Sequence, residues 1–427
     1  MAIATVNSST AAAGGPSNKV ALSVVTTLFF MWGFVTVLND VLVPHLKSIF
    51  DLNYARASLI QFAFFTAYFI FSIPAAKLID WIGYKRTMVV GVVTMGIGAL
   101  LFIPSASAAS YPLFLAALMV LAGGITALQV AANPYVAVLG PPETASSRLN
   151  LAQAFNSVGT AIAPWLGGAV ILSATRANMD TVRQMSGAVL QAYRVQEASS
   201  VKLPYLIIGL ALMALAVAIA MFKLPPLPGA ERQGKIVGDS VWKHRHLVLG
   251  AIGIFVYVGA EVSIGSYLIN YFSQANIGNI SELSAAKYVS YYWGGAMVGR
   301  FIGSAILQKV RTGTVLGLAA MASCLLVCVS ILSLGHLAMW SIILVGLFNS
   351  VMFPSIFTLG IAKLGPLTGD GSGLLIMAIV GGALIPLAQG RLADMIGLHH
   401  AFVIPAVCYL YIVYYAFKGS TPDEVTV

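Results

Sequence analysis

The sequence predicts an all-α integral membrane protein, with twelve transmembrane helices in two pseudo-symmetric six-helix bundles. Three observations predict it. Of 427 residues, 59% are hydrophobic and 9% are charged, whereas soluble domains carry about 25% charged residues. The apolar residues come in long runs, and about 18–20 such residues cross the hydrocarbon core. Polar and proline motifs of the first half recur in the second at a nearly constant offset. So few charges cannot coat a soluble surface, and lipid is the natural cover for the apolar remainder.

The first 19 residues are small and polar, with Lys19 as the one basic residue. They lack the basic start of a secretory signal, which predicts a disordered cytoplasmic tail (1–19) and a first span that stays in the mature protein. Apolar spans follow near 20–44, 57–79, 87–104, 111–139, 148–172 and 203–223. These make an N-terminal bundle over 20–223. Val20 to Val43 holds only Asn39 and Asp40 as strongly polar residues, and Pro204 to Phe222 holds no charge. A polar linker over 224–246 contains three prolines and six charges, Glu231, Arg232, Lys235, Asp239, Lys243 and Arg245. The second set of spans lies near 247–272, 285–307, 312–334, 338–364, 371–392 and 400–417, giving a C-terminal bundle over 247–418 and a short tail over 419–427.

Lys and Arg set the orientation, because they are retained on the cytoplasmic side. With both termini inside, 14 of the 23 fall on the inner side and eight on the outer, four of those in the long loop 173–202. This retention accounts for the net charge of +9. Nucleic acid is not an expected partner, since the basic residues are scattered and form no single face. Cys324, Cys328 and Cys408 all lie in apolar runs, so no disulfide framework is implied.

The halves read as a repeat. Pro134-x5-Gly140 in span four matches Pro354-x5-Gly360 in span ten, with 354 − 134 = 220. Gly33 and Gly253 also differ by 220, and Asp40 and Glu261 by 261 − 40 = 221. Duplicated halves are the arrangement of transporters whose site lies between repeats near the midplane.

Of fourteen acids, Asp40 and Glu261 are the two well inside apolar spans. A charge at the bilayer centre costs about 2.5–3.5 kcal/mol on insertion scales, so such residues usually face a bundle interior or a watery cavity. Either acid can carry a proton from one side to the other or neutralise a bound cation; each can also be a structural acid held by helix partners. Neutral polar residues form stripes. Gln129 and Asn133 stand one helical turn apart, and Asn150, Gln153 and Asn156 share a face of span five. Asn39 and Asn349 add two more amides inside spans. Amides donate and accept hydrogen bonds, which suits a small neutral polyol. Clusters of arginine, which suit phosphate or carboxylate, are missing from the spans. The same amides commonly tie membrane helices together. Trp293 is a candidate for stacking on the apolar face of a sugar ring.

Asp80-Trp-Ile-Gly83-Tyr-Lys85-Arg86 follows span two, and Gly299-Arg300-Phe-Ile-Gly303 closes span eight. With Arg148 at the start of span five, these residues are expected to form a cytoplasmic latch that breaks as the halves rock. A membrane enzyme would need a reactive constellation, and neither a His-rich metal cluster nor a nucleophile with a nearby base is evident; no metal centre or cofactor is expected.

These motifs resemble a known family. The Asp80 turn resembles the signature loop of the major facilitator superfamily, with Ala76 where a glycine is usual. Asn39-Asp40, Ala131-Ala-Asn-Pro-Tyr135, the string from Arg148 to Asn156, and Gly397-Leu-His-His-Ala-Phe402 look like the fucose:proton symporter family. Leu128-Gln-Val-Ala-Ala-Asn-Pro-Tyr135 and Tyr257-Val-Gly-Ala-Glu261 are similar to its glucose/galactose transporter branch. The similarity spans essentially everything after residue 20. It implies a secondary active transporter of the bacterial inner membrane with both termini cytoplasmic. Such a protein imports a hexose, glucose or galactose, by proton or sodium symport with alternating access, as a monomer in the lipid bilayer. Fucose or N-acetylglucosamine proton symport on the same scaffold is the alternative, with a drug-efflux antiporter further off. By this resemblance Asp40 matches an acid linked to proton coupling, and Gln153 and Asn156 match amides lining the sugar cavity. Fucose symporters carry Glu where this chain has Gln129 and Gln where it has Glu261. The second acid thus sits in the other half, which leaves proton and sodium both open, with sodium expected near Asp40 or Glu261.

Overall fold

A computed structural model describes residues 16–50, 52, 54–171, 185–226 and 240–422. Within them the chain is helical, in the order α1 (Pro16–Phe50), α2 (Tyr54–Ser107), α3 (Tyr111–Val138), α4 (Ala145–Ile171), α5 (Gly187–Ala198) and α6 (Lys202–Met221). The second half comprises α7 (Arg245–Phe272), α8 (Glu282–Ile306), α9 (Thr312–Leu332), α10 (Gly335–Asn349), α11 (Met352–Gly360), α12 (Thr368–Met377), α13 (Gly381–Ile396), α14 (Leu398–Ala401) and α15 (Val403–Tyr414).

Nine stretches among the described residues are long and apolar enough to cross a membrane. One of them, Leu59–Ser107, is 49 residues long, about 74 Å of helix, and holds two crossings. Gly83 breaks α2 with φ 80° and ψ 167°, a conformation that side chains bearing Cβ avoid. Phe71 before the break lies against Gly123, and Met95 after it lies against the neighbouring Gly124. The two arms therefore flank α3 at one level, and the chain turns back on itself at Gly83. The helices α4 and α8 complete the set of twelve; α8 is less apolar because Lys287 and Arg300 lie in it. Exposed Leu210, Leu325, Leu332 and Val407 cover the outer faces, as lipid contact requires.

Small residues set the packing. At Gly91, Gly98 and Gly124 any Cβ would strike the backbone of the facing helix, so α2 and α3 approach closely. Helices α1, α2, α3, α4 and α6 pack together, as do those from α7 onward, and the halves meet mainly through α4 on α8 and α2 on α12.

Several boundaries differ from the sequence reading. The first helix begins at Pro16, inside the stretch read as a tail, because its opening residues continue the helix of span one; residues 1–15 lie outside the described residues. Most of the linker, 227–239, and the last five residues of the closing tail also lie outside them. The loop after span five contains α5. Span ten is discontinuous: α10 ends at Asn349 and α11 starts at Met352, just ahead of Pro354, which has no N–H to give to Ser350.

Candidate functional site

Glu261 is the seventeenth residue of the 28-residue α7, about 24 Å along a helix of about 42 Å. It is half-buried, as is Val262, between the buried stretches 257–260 and 263–264. The Tyr257 hydroxyl, one turn earlier, lies 2.8 Å from Oε1 of Glu261 and 3.0 Å from the Asn349 carbonyl oxygen. That carbonyl sits where span ten breaks. The Asn349 side chain is enclosed by two further hydroxyls: its Nδ2 donates to Tyr292 at 2.9 Å, and its Oδ1 accepts from Tyr409 at 2.8 Å. Glu261, Tyr257, Asn349, Tyr292 and Tyr409 thus form one polar core in the second half. A carboxyl beside an interrupted helix whose carbonyl is already turned inward is the arrangement that holds a proton or sodium in repeat-built transporters. Among the described residues no group of three His, Cys, Asp or Glu is placed to hold a metal ion.

The first half carries the amides. Gln129 Nε2 donates to the Tyr68 hydroxyl at 2.6 Å, and Asn156 Nδ2 donates to the Phe29 carbonyl at 2.9 Å. Asn133 is fully buried, and among the described residues neither its Nδ2 nor its Oδ1 has a partner; Gln153 Nε2 and Asn150 Oδ1 are likewise unpartnered there. Buried polar groups are nearly always hydrogen-bonded, so these atoms mark where a polar ligand or ordered water belongs. Gln129, Asn156 and Asn349 are engaged with other helices, while Asn133 and Gln153 keep spare capacity. Asn39 and Asp40 lie in α1, but their side chains are outside the described residues. Trp293 is 44% exposed and rests an indole edge on Gly265 of α7.

A ladder of polar contacts closes the seam between the halves at the end marked by Gly83. Ser146 meets Thr312 at 2.9 Å and Thr358 at 2.5 Å. Ser147 Oγ donates to the Ser304 carbonyl at 2.7 Å, and Ser304 Oγ returns the bond to the Ser147 carbonyl at 3.0 Å. Asn150 Nδ2 donates to the Arg300 carbonyl at 2.7 Å, and Arg300 donates to Ser157 Oγ and, at 3.4 Å, to the Gln153 carbonyl. Ser372 joins α12 to the Val130 carbonyl of α3 at 2.7 Å.

Of the residues expected to form the latch, Arg300 crosses to the other half. Lys85 donates to the Ala220 carbonyl at 2.7 Å, and Arg148 donates to the carbonyls of Val136, Ala137 and Pro141. Both cations therefore sit at helix C-termini of their own half, where the macrodipole favours positive charge. Asp80 is half-buried and Arg86 is exposed. Sequence reasoning missed the seam hydroxyls and the tyrosines Tyr68 and Tyr409. The signal for the former was the spacing of Ser146, Ser147, Asn150, Gln153 and Ser157 along one side of α4.

Two helical bundles meeting at a polar seam, with a carboxyl midway through a span, define the class: a multi-pass membrane transporter. Residues 22–386 match the Major Facilitator Superfamily. The chain is 52% identical over 406 residues to a glucose/galactose transporter of Brucella abortus, covering 94% of each. It is 34% identical over 411 residues to the L-fucose-proton symporter of Escherichia coli, again covering 94% of each. A crystal structure of the major facilitator transporter FucP in the outward conformation superposes with a TM-score of 0.87 at 34% identity, covering 94% of this chain and 98% of that one. The chain belongs to the major facilitator superfamily, in the family that holds the glucose/galactose transporters and the fucose-proton symporters.

Proposed function

We propose that this protein imports a neutral hexose, glucose or galactose, together with a proton or a sodium ion, across a bacterial inner membrane. Both termini are cytoplasmic in this reading, and the Gly83 end faces the cytoplasm. A single chain, holding both halves, is the working unit. The observation that carries the reading is Glu261: a half-buried acid midway through a span, bonded to a tyrosine and to no basic residue within ion-pair distance among the described residues. An acid kept there at a cost of a few kcal/mol earns its place by exchanging a cation. Asp40 is its counterpart in the first half. Asn133 and Gln153, whose amide atoms are unpartnered among the described residues, are the foremost sugar ligands, and Gln129, Asn156, Asn39, Asn349 and Trp293 surround them in function.

The test is uptake of labelled glucose, galactose, fucose and N-acetylglucosamine into proteoliposomes with an imposed proton or sodium gradient. Glucose or galactose accumulates above the external concentration under one of the two gradients, and the other sugars compete weakly. Accumulation under neither gradient sinks the symport reading, and preference for fucose or N-acetylglucosamine replaces the substrate.

A further inference from the structure

Tyr257 holds one proton between two acceptors. Its hydroxyl lies 2.8 Å from Glu261 Oε1 and 3.0 Å from the Asn349 carbonyl oxygen, and a phenol has a single O–H to donate. The acceptors belong to different parts of the site. Glu261 stands one turn further along the same helix, α7. The Asn349 carbonyl is the last of α10, where span ten breaks, and the last carbonyls of a helix have no partner within it. Side chains serve them here: Ser350 Oγ donates to the Leu347 carbonyl at 2.6 Å, and Tyr257 is placed to donate to that of Asn349. The neighbouring hydroxyls are bonded to the Asn349 side chain instead, since Tyr409 donates to Oδ1 and Tyr292 accepts from Nδ2. With Arg300 they are the other titratable and charged groups around the pair. Tyr257 itself is buried, which leaves these two acceptors for its proton.

We propose that Tyr257 is a positioning residue whose O–H bonds the broken span ten while Glu261 holds its cation, and bonds Glu261 once the cation has left. When Glu261 is protonated, its own O–H donates to the Tyr257 oxygen, and the Tyr257 O–H turns to the Asn349 carbonyl. When sodium is bound, the ion takes the carboxylate and a lone pair of the phenol, which leaves the O–H for the same carbonyl. When Glu261 is empty and anionic, the O–H turns to the carboxylate, because a hydrogen bond to an ionised acceptor is roughly twice as strong as a neutral one. No covalent bond changes; one hydroxyl rotates. Loading therefore ties α7 to the joint between α10 and α11, and release unties it. The same hydroxyl stabilises the emptied carboxylate, which lowers its affinity for the cation and lets the ion leave. This inference rests on the reading of Glu261 as the coupling acid.

The experiment follows hydrogen–deuterium exchange of the backbone amides of 350–353, the joint between α10 and α11, on full-length protein in nanodiscs without sugar. The cation is supplied as protons, with rates corrected for the intrinsic pH dependence of exchange, or as sodium chloride against choline chloride, and α9 serves as the reference segment. In wild type the coupling cation slows exchange at the joint about threefold or more, the effect of one added hydrogen bond. Tyr257→Phe keeps the ring and removes the hydroxyl, and its joint exchanges alike with and without the cation. That variant also holds the cation about fivefold more tightly, because the empty carboxylate loses the stronger of the two bonds. In sugar uptake into proteoliposomes the half-saturating cation concentration falls by that factor, which for protons is a shift to higher pH. A tyrosine that only fills space between helices moves neither readout. A wild-type response of the joint in Tyr257→Phe, or an unchanged half-saturation, overturns the inference. Where Tyr257→Phe does not fold, the wild-type protein decides, and a joint indifferent to both cations overturns the inference. Glu261→Gln separates the two readings. If that variant still accumulates sugar and its joint still responds to the cation, the coupling role of Glu261 has failed and this inference falls with it. If it loses both while Tyr257→Phe keeps the wild-type response and half-saturation, the inference alone has failed.

Discussion

Asn133 illustrates how a single side chain can be more informative for what it lacks than for what it touches. A buried amide with no partner costs about 1–3 kcal/mol relative to a satisfied one, yet Asn133, unpartnered among the described residues, sits fully buried in α3, beside Pro134. If it waits for a sugar hydroxyl, Asn133→Ala raises the half-saturation concentration about tenfold, the equivalent of about 1.4 kcal/mol, while thermal stability in detergent holds or rises. Sugar-concentration dependence of uptake and a melting curve measure the two. A stability loss with unchanged half-saturation would instead make it a structural tie. Asp40→Asn should abolish accumulation and spare some exchange, read in the same vesicles. Glu261 and the amide stripes stand out in the sequence because polar residues contrast with apolar spans, while the Asp40 side chain lies outside the described residues. The partners of the amides do not stand out: nothing in the spacing of Gln129 or Asn349 points to Tyr68, 61 residues away, or to Tyr409, 60 residues away.

At the scale of elements, breaks in the helices position the chemistry. The turn at Gly83 lets two crossings share the face of α3, and its positive φ was foreseeable from a glycine in a polar turn. Gly83→Ala forces a side chain into that conformation at about 1–3 kcal/mol. It should lower the melting temperature in detergent by a few degrees; an unchanged melting curve would show that the turn relaxes freely. The interruption at Asn349 was only half legible. Pro354 announces a weakened helix, but that the freed carbonyl would meet the Tyr257 hydroxyl at 3.0 Å depends on the approach of α7, which no local pattern encodes. The latch motif was read from charges, whereas Lys85 and Arg148 serve helix ends within their own half. Basic residues near helix C-termini have two such uses, and tertiary distance alone separates them.

For the whole molecule, the question is why the halves hold together at one end and still separate. Apart from the Arg300 guanidinium, the seam is made of hydroxyls and amides, each bond contributing about 0.5–1.5 kcal/mol, together with glycine contacts such as Gly373 on Ser72 and Ala76. Bonds of that size close a gap firmly enough to populate one state and weakly enough for differential ligand binding of a few kcal/mol to reverse it. The Ser147 and Ser304 hydroxyl oxygens are 3.3 Å apart, within reach of a disulfide if both become cysteine. Oxidised Ser147→Cys/Ser304→Cys protein is then expected to lose transport and regain it on reduction; full activity when crosslinked would mean that the seam does not open during turnover.

The claim on which these scales converge is that a cation held at Glu261 powers accumulation. Its most direct test compares Glu261→Gln with wild type in one vesicle preparation, measuring gradient-driven accumulation beside exchange at equal sugar concentrations. The account predicts that exchange persists while accumulation above the external level disappears. Wild-type accumulation by the glutamine variant would contradict it.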